Sequence, residues 1–425
     1  MSFKKIMFTD IDGVSRGKYI SENKFKKNNS LGFCDVVFGW DLHDECYSQD
    51  SLTGWEKGFP DAIFTIDEKS KRTVNEANCD ALYFGDFSTD ENFKNVCPRS
   101  LLKSILKAYE SLNLVPKIGF EYEWFNFKKD VENLEGVTSG MFGYSLNRLS
   151  ENQAYIDEIL KVTKSFDVST EGLHTETGPG VYEAALSYTD ALKACDDATL
   201  FKSIVKTTAK KFDFLASFMA KWNAELPGCG GHIHISIENK QGQNILNFSN
   251  NNNLDATTSN FLAGVLNASP AMLPIYAPTI NSYKRLQPDS WAPTTVSWGY
   301  QNRTTAIRVI SESYVNDHIE MRIPGADTNP YLIVYAVLAS GLHGIKEKLD
   351  LKIKNQVGNA YKNTTLDKLS NNLNDAITVM EYHPLTAQLL NPVFSEHFIK
   401  TRKWEVEKFN KSVSNWEVNR YLEII

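Results

Sequence analysis

Lys117 to Phe127 reads KIGFEYEWFNF, and the fold turns on how this stretch is read. In a β-strand successive side chains point to opposite faces. Ile118, Phe120, Tyr122 and Trp124 then share one face, and Glu121 and Glu123 share the other. The first set suits a core. Two carboxylates side by side on the opposite face repel each other unless water or a cation lies between them. For E-x-E alone, a solvated strand face is the better account.

The alternation recurs along the chain. Gly231 to Ile237 (GHIHISI) puts His232, His234 and Ser236 on one face and Ile233, Ile235 and Ile237 on the other. Ile319 to Ile323 (IEMRI) sets Glu320 and Arg322 against Ile319, Met321 and Ile323. Val181 to Leu186 (VYEAAL) carries Glu183 in an apolar strand after the turn Gly178-Pro179-Gly180. A lone H-x-H is more often structural than metal-binding. Four strands that are greasy behind and charged in front describe a sheet backed by helices, with its other face lining a cleft. Carboxylates outnumber imidazoles in this set, and hard oxygen ligands favour Mg²⁺ or Mn²⁺ over zinc. Cys229 lies near His232, but a single thiol there is no zinc signature. The glycines Gly228, Gly230 and Gly231 predict close approach of the backbone to a ligand.

Asn281 to Ile310 is rich in arginine, with Lys284, Arg285, Arg303 and Arg308, and Arg322 follows. Guanidinium forks match carboxylate and phosphate oxygens. Each arginine alone could equally be an ordinary salt-bridge partner. Neither a P-loop nor a Rossmann glycine fingerprint is present, so a nucleotide would have to be held by metals and arginines.

Further out, Lys4 to Thr9 reads as a strand that turns at Asp12-Gly13 into a second strand, Arg16 to Ile20. Lys24 to Ser30 is expected to be a polar loop. Residues 1–95 are expected to form a small β-rich N-terminal domain, and residues 96–425 the rest. Pro98 opens a helix over Arg99 to Leu112. Ala191 to Trp222 is expected to be one long helix, with a stripe of Phe201, Val205, Phe212, Leu215 and Met219. Asn329-Pro330 caps a helix running to about Lys348, and Glu381 to Ile425 is expected to be helical. The longest apolar run, Tyr331 to Leu342, is shorter than a membrane span and predicts a buried helix. The chain has 425 residues, with 42% hydrophobic and 23% charged residues and a formal charge of −7. These values fit a soluble globular protein and argue against nucleic acid or a membrane as partner. The cysteines Cys34, Cys46, Cys79, Cys97, Cys195 and Cys229 are scattered, without a C-x-x-C pair, and predict reduced thiols in a cytoplasmic protein. Met1 to Thr9 is too short and too soon followed by acidic residues to read as a signal peptide.

Six ordered phrases together resemble the glutamine synthetase family. They are FEYEW around Glu121, HTETGPGVYEAAL around Glu176, GCGGHIHIS around His232, NSYKRL around Arg285, NRTTAIRV around Arg303, and IEMRIPGADTNPYL around Glu320. FTDIDGVSRGKYI resembles the opening of the family's N-terminal domain. The resemblance implies an α+β fold. A small β-grasp domain precedes a catalytic domain whose curved antiparallel sheet lines the active site, with helices outside. It implies ATP and two divalent ions, Mg²⁺ or Mn²⁺, and a γ-glutamyl amide formed from glutamate and ammonia or an amine. Glu123, Glu176 and Glu183 match the ligands of the tighter metal site, and Glu121, His232 and Glu320 those of the second. His234, together with Ser236 on the same strand face, falls beside the nucleotide. Arg303 and Arg308 match arginines facing the transferred phosphoryl group and the nucleotide phosphates. Arg285 matches the arginine that grips the α-carboxylate of glutamate, Gly228 a backbone contact to substrate, Arg322 an arginine at the γ-carboxyl, and Tyr144 a tyrosine at the ammonium site. The resemblance also implies a homododecamer or other ring assembly.

One departure bears on the substrate. Ammonia-using members carry a glutamate in the flap phrase P-G-x-E-A-P, whereas Pro288 to Pro293 reads PDSWAP and places Trp291 there. A tryptophan can neither bind ammonium as a carboxylate does nor take its proton. An aromatic wall suits an organic amine. The alternative is that Trp291 only closes the flap while another carboxylate serves ammonia. Asp41 and Asp50 are candidates for the aspartate that a neighbouring subunit contributes to this site. Tyr361 lies near where some bacterial members are adenylylated, and a lone tyrosine there is poor evidence for regulation. A non-catalytic relative on the same scaffold and a metal-dependent hydrolase are the competing classes. The retained carboxylates argue against the first, and the arginines against the second.

Overall fold

Leu114–Lys128 forms a 15-residue strand whose alternation is the one read above. Phe120, Tyr122 and Trp124 are buried, with Trp124 edge-on to Phe201 at 5.6 Å and Tyr122 stacked on it at 6.4 Å. The glutamates between them face the other way. The chain is described here by a computed structural model over residues 2–47, 52–129, 133–246, 248–249, 253–311 and 317–425.

Two sheets organise it. The first contains β1 (Phe3–Thr9), β2 (Ser15–Ser21), β3 (Ser30–Cys34), β4 (Asp61–Ile66), β5 (Arg72–Glu76) and β6 (Cys79–Asp86), in the order β2-β1-β6-β4-β3 with β5 also on β6. The pair β1–β6 is parallel. The second sheet has nine strands and curls into a half-barrel. They are β7 (Leu114–Lys128), β8 (Thr170–Thr175), β9 (Val181–Leu186), β10 (Thr189–Asp190), β11 (Phe214–Ser217) and β12 (Gly231–Asn239). After the short pair β13 (Phe248–Ser249) and β14 (Asn253–Leu254) come β15 (Trp298–Tyr300), β16 (Ile307–Ile310) and β17 (His318–Met321). The order is β15-β16-β17-β12-β7-β9-β8, with β10 and β11 on β7. Helices α1 (Glu22–Lys27), α2 (Pro98–Glu110), α3 (Leu146–Ser150), α4 (Gln153–Ser165), α5 (Ala191–Lys211), α6 (Ala256–Tyr276), α7 (Ser282–Arg285) and α8 (Pro330–Glu347) are followed by α9 (Leu373–Tyr382), α10 (Pro384–Leu389), α11 (Pro392–Lys411) and α12 (Asn415–Tyr421). The fold is therefore α+β, with α2 and α5 packed against β7, and α8 beneath them. Tyr331 to Leu342 lies buried in α8, and among the described residues no helix is long and apolar enough to cross a membrane.

Two expectations are corrected. Lys24 to Ser30 is not one loop: α1 runs through Lys27, because the Ser21 hydroxyl caps the Lys24 N–H and Glu22 stands in the first turn. The helix from Ala191 ends at Lys211. Asp213 takes a left-handed φ of 56°, and Phe214–Ser217 then pairs with Phe125–Lys128 of β7. Phe212, Leu215 and Met219 thus lie outside the helix. The C-terminal stretch is helical, as expected, in several pieces, with new starts at Pro384, Pro392 and Asn415 where proline or a Ser414 capping box fits.

Buried charge ties the first sheet to helices α2, α5 and α8. Arg99 reaches Asp86 and Asp196 at 3.0 Å and Asp67 at 2.9 Å, and Tyr331 donates to Asp196 at 2.6 Å. Asn329 caps α8 with its side-chain oxygen while its amide donates to the Asp10 carbonyl at 2.8 Å.

Candidate active site

Register across the half-barrel decides which charged side chains meet. Glu123 of β7 stands opposite Glu183 of β9, and Glu183 opposite His174 of β8. On the other side Glu121 is opposite His232, and His234 opposite Glu320, which is itself opposite Arg308. Opposed residues share a face, so all of these line one concave surface. They gather into two adjoining groups. In one, the donor atoms of His174, Glu176 and Glu183 lie within 4.8 Å of one another, and in the other so do those of Glu121, His234 and Glu320. His232 joins the second group, with Nδ1 3.3 Å from Glu320 and 3.5 Å from Glu121. Glu123 sits between the groups, and its Oε2 accepts the Gly230 N–H at 2.7 Å. A Cβ at Gly230 would collide with the His232 ring at 2.6 Å, which is why glycine is needed there.

The electrostatics are those of a crowded anionic site. Burial pushes the Glu183 carboxyl up to about 7, with Glu121 and Glu123 adding to the rise and His174, 3.1 Å away, opposing it. Burial also raises Glu123. Glu121 is held well below the carboxylate range because hydrogen bonds from His232 and His234 outweigh its burial. Glu320 is fully buried, yet Arg322, His232 and His234 hold it at about 2. An all-oxygen-and-imidazole donor set with one carboxyl near neutrality fits hard divalent cations, whose charge would relieve the repulsion. The nearest thiol, Cys229, is buried and raised by that burial.

The arginines crowd the same wall. Arg308 reaches Glu320 at 3.1 Å, and Arg322 pairs with its other oxygen. Arg285 is buried, donating to the Ile323 carbonyl at 2.8 Å and lying 3.3 Å from His232. Gly228 adjoins Arg285, whose Cγ would be 2.8 Å from a Cβ there. Arg303 is exposed between β15 and β16 and makes no ion pair with any described residue. Ser236 is half-buried on the His234 face, farther along β12 opposite Lys117. Tyr144 and Trp291 are both exposed, and both hold left-handed backbones, with φ of 57° and 61°. Tyr144 stacks on His174 at 4.3 Å, while the Trp291 carbonyl accepts from Arg322 at 3.2 Å.

Some placements differ from expectation or add to it. Asp41 is spent within its own chain: one oxygen accepts the N–H groups of His43 and Glu45, and the other accepts from Trp404 at 2.9 Å. Asp50 lies outside the described residues. Two histidines were missed. His174 stands two residues before Glu176, and His318 two before Glu320, with its Nε2 3.0 Å from His234. The period-two rule, carried one step further along each strand, would have found both. A cavity of about 730 Å³ lies apart from this chemistry, between the β1–β2 hairpin and helices α4 and α5.

Known proteins were compared with this chain. The family model "Glutamine synthetase, catalytic domain" matches residues 95–421. The "Type-1 glutamine synthetase 2" of Dictyostelium discoideum is 41% identical over 439 residues, covering 100% of this chain and 84% of that protein. The "Glutamate--isopropylamine ligase" of Pseudomonas sp is 34% identical over 434 residues, covering 98% of this chain and 94% of that one. The solved structure titled "GmaS/ADP complex-Conformation 1" superposes with a TM-score of 0.86 at 26% identity, covering 99% of this chain and 97% of its own.

Proposed function

This chain belongs to the glutamine synthetase family, and on that premise we propose that it is an ATP-dependent ligase joining the γ-carboxyl of glutamate to an organic amine. The observation that carries the amine is Trp291, an exposed aromatic at the flap position where ammonia-using members carry a glutamate. The 34% identity to a glutamate–isopropylamine ligase supports the same reading.

In this reading Glu123, Glu176 and Glu183 hold one divalent ion and Glu121, His232 and Glu320 a second. His174 and His234 brace these carboxylates. Two such ions, Mg²⁺ or Mn²⁺, would supply Lewis-acid charge for phosphoryl transfer. His234, Ser236, Arg303 and Arg308 bind ATP, Arg285 takes the α-carboxylate, and the backbone at Gly228 contacts the substrate. A carboxylate is a poor electrophile, so it must first be activated. An oxygen of the γ-carboxylate, steered by Arg322, attacks the terminal phosphorus, and ADP departs as Arg303 and Arg308 offset the moving charge. The amine nitrogen then attacks the acyl carbon, phosphate leaves, and the nitrogen gives up a proton. Tyr144 and Trp291 wall the amine. Residues 1–95 act as the β-grasp domain and 96–425 as the catalytic domain, a division supported by the separate apolar cluster of the first sheet. A cytoplasmic ring homo-oligomer completes the picture, to be measured by light scattering.

The test is phosphate release with ATP, glutamate and a panel of amines from ammonia to alkylamines, ethanolamine and putrescine. A clear preference for ammonia would end the organic-amine reading. That second reading, glutamine synthesis proper, is favoured by the 41% identity to a type-1 glutamine synthetase. Failure to bind Mn²⁺, with no turnover of any amine, would point instead to a non-catalytic relative.

A further inference from the structure

Trp291 and its neighbour Ala292 are held by their backbone carbonyls. Arg322 donates to the Trp291 carbonyl at 3.2 Å, and the Tyr361 hydroxyl donates to the Ala292 carbonyl at 2.9 Å, across 69 residues of sequence. A bulky residue keeps a left-handed backbone only where its surroundings over-determine it, and two bonds on successive carbonyls do so. The segment carrying Tyr361 is in turn fastened to the turn that carries Arg303. The Ala360 N–H donates to the Thr304 hydroxyl at 3.0 Å. The Asn302 amide donates to the Gln356 carbonyl at 2.9 Å and to the Gly358 carbonyl at 2.8 Å. Thus the residues flanking Arg303 and the residue following Trp291 hang on one short segment, 356–361. The Tyr361 ring is half-buried, and burial raises its phenol, so it carries the donated proton at neutral pH.

We propose that Tyr361 is a positioning residue: its hydroxyl latches the Trp291 flap to the loop bearing Arg303, setting the amine wall and the phosphoryl-binding arginine as one unit. The consequence is protection of the activated acyl group. Water competes with the amine for the acyl phosphate, and a flap that swings free admits water while weakening the amine's wall.

The kinetic arm rests on the ligase reading, and the exchange arm does not. Tyr361→Phe keeps the ring and removes the donor. Losing one such hydrogen bond should raise the amine KM about three- to tenfold. KM for ATP should move less than about twofold, and phosphate released should exceed amide formed. Deuterium exchange, read on peptides spanning 286–297 and 300–308 of the full-length protein, should speed at both. Thr304→Val removes the Ala360 bond at the other end of the link, leaving the two Asn302 bonds, and should speed exchange at the same two peptides by less. Unchanged exchange at both peptides in both variants overturns the latch. So does a one-to-one ratio of phosphate to amide with an unmoved amine KM. A wild type that turns over no amine sinks the ligase reading alone, and exchange still decides the latch.

Discussion

Glu183→Gln tests the claim that the half-barrel is built around cations rather than merely lined by acids. The Glu183 carboxyl is raised from 4.5 to about 7 in the folded protein. Between those values the folded form keeps a proton that the unfolded chain has released. The stability that the Glu183 carboxyl contributes without metal is therefore full below pH 4.5, falls as pH rises to 7, and stays lost above it. At about 1.4 kcal/mol per pH unit the full loss is about 3 kcal/mol. Glutamine keeps the shape and an acceptor for His174, but not the charge. The metal-free variant should thus gain up to about 3 kcal/mol at pH 8 and nothing at pH 4.5. With a melting entropy of about 2.1 cal/mol/K per residue, the 425 residues give about 0.9 kcal/mol/K, so the gain reads as about 3 °C. Adding Mn²⁺ should reverse the order, since the wild type gains binding free energy that the variant, one ligand short, does not. Scanning calorimetry in EDTA and in Mn²⁺, from pH 5 to 8, measures all of this. A variant that melts below the wild type in EDTA at pH 8 would refute the reasoning, as would equal Mn²⁺ shifts in both proteins.

Trp291→Glu restores a flap carboxylate without touching the carbonyl held by Arg322. The ratio of kcat/KM for ammonia to that for the best alkylamine should rise at least about tenfold, and an unmoved ratio removes Trp291 from amine selection. His397 is buried with neither ring nitrogen hydrogen-bonded, and burial lowers it from 6.5 to about 4. The unfolded chain takes the proton first, so the contribution of His397 is full above pH 6.5 and falls by up to about 3 kcal/mol towards pH 4. His397→Phe should flatten that slope in urea denaturation across this range. Arg99→Met leaves Asp196 and Asp86 buried without their guanidinium and should cost about 3–5 kcal/mol. A loss under 1 kcal/mol in urea titration would show that the network does not hold the first sheet to α2 and α5.

Much of the site was legible because strand periodicity is local. KIGFEYEWFNF, GHIHISI, VYEAAL and IEMRI each announce which side chains share a face, since a two-residue repeat needs no knowledge of the rest of the chain. The caps of α2 and α8 were legible for the same reason, with Pro98 and Asn329-Pro330 acting on their own first turns. The helix from Ala191 was overread because an apolar stripe does not report where a chain leaves the helix. Asp213 turns left-handed, and β7 then recruits Phe214–Ser217 as a strand.

By itself, then, the sequence determined the faces: carboxylates, imidazoles and arginines in front, aromatic and branched residues behind. Only the tertiary structure decided which faces became neighbours. Setting β7 between β9 and β12 brings Glu123 to Glu183 and Glu121 to His232. Placing residue 361 beside residue 292 supplies the flap with its hydroxyl. Such contacts join residues tens to more than a hundred positions apart. They form because burying the apolar back of the half-barrel in one core with α2, α5 and α8 is a property of the whole chain, which no local repeat encodes.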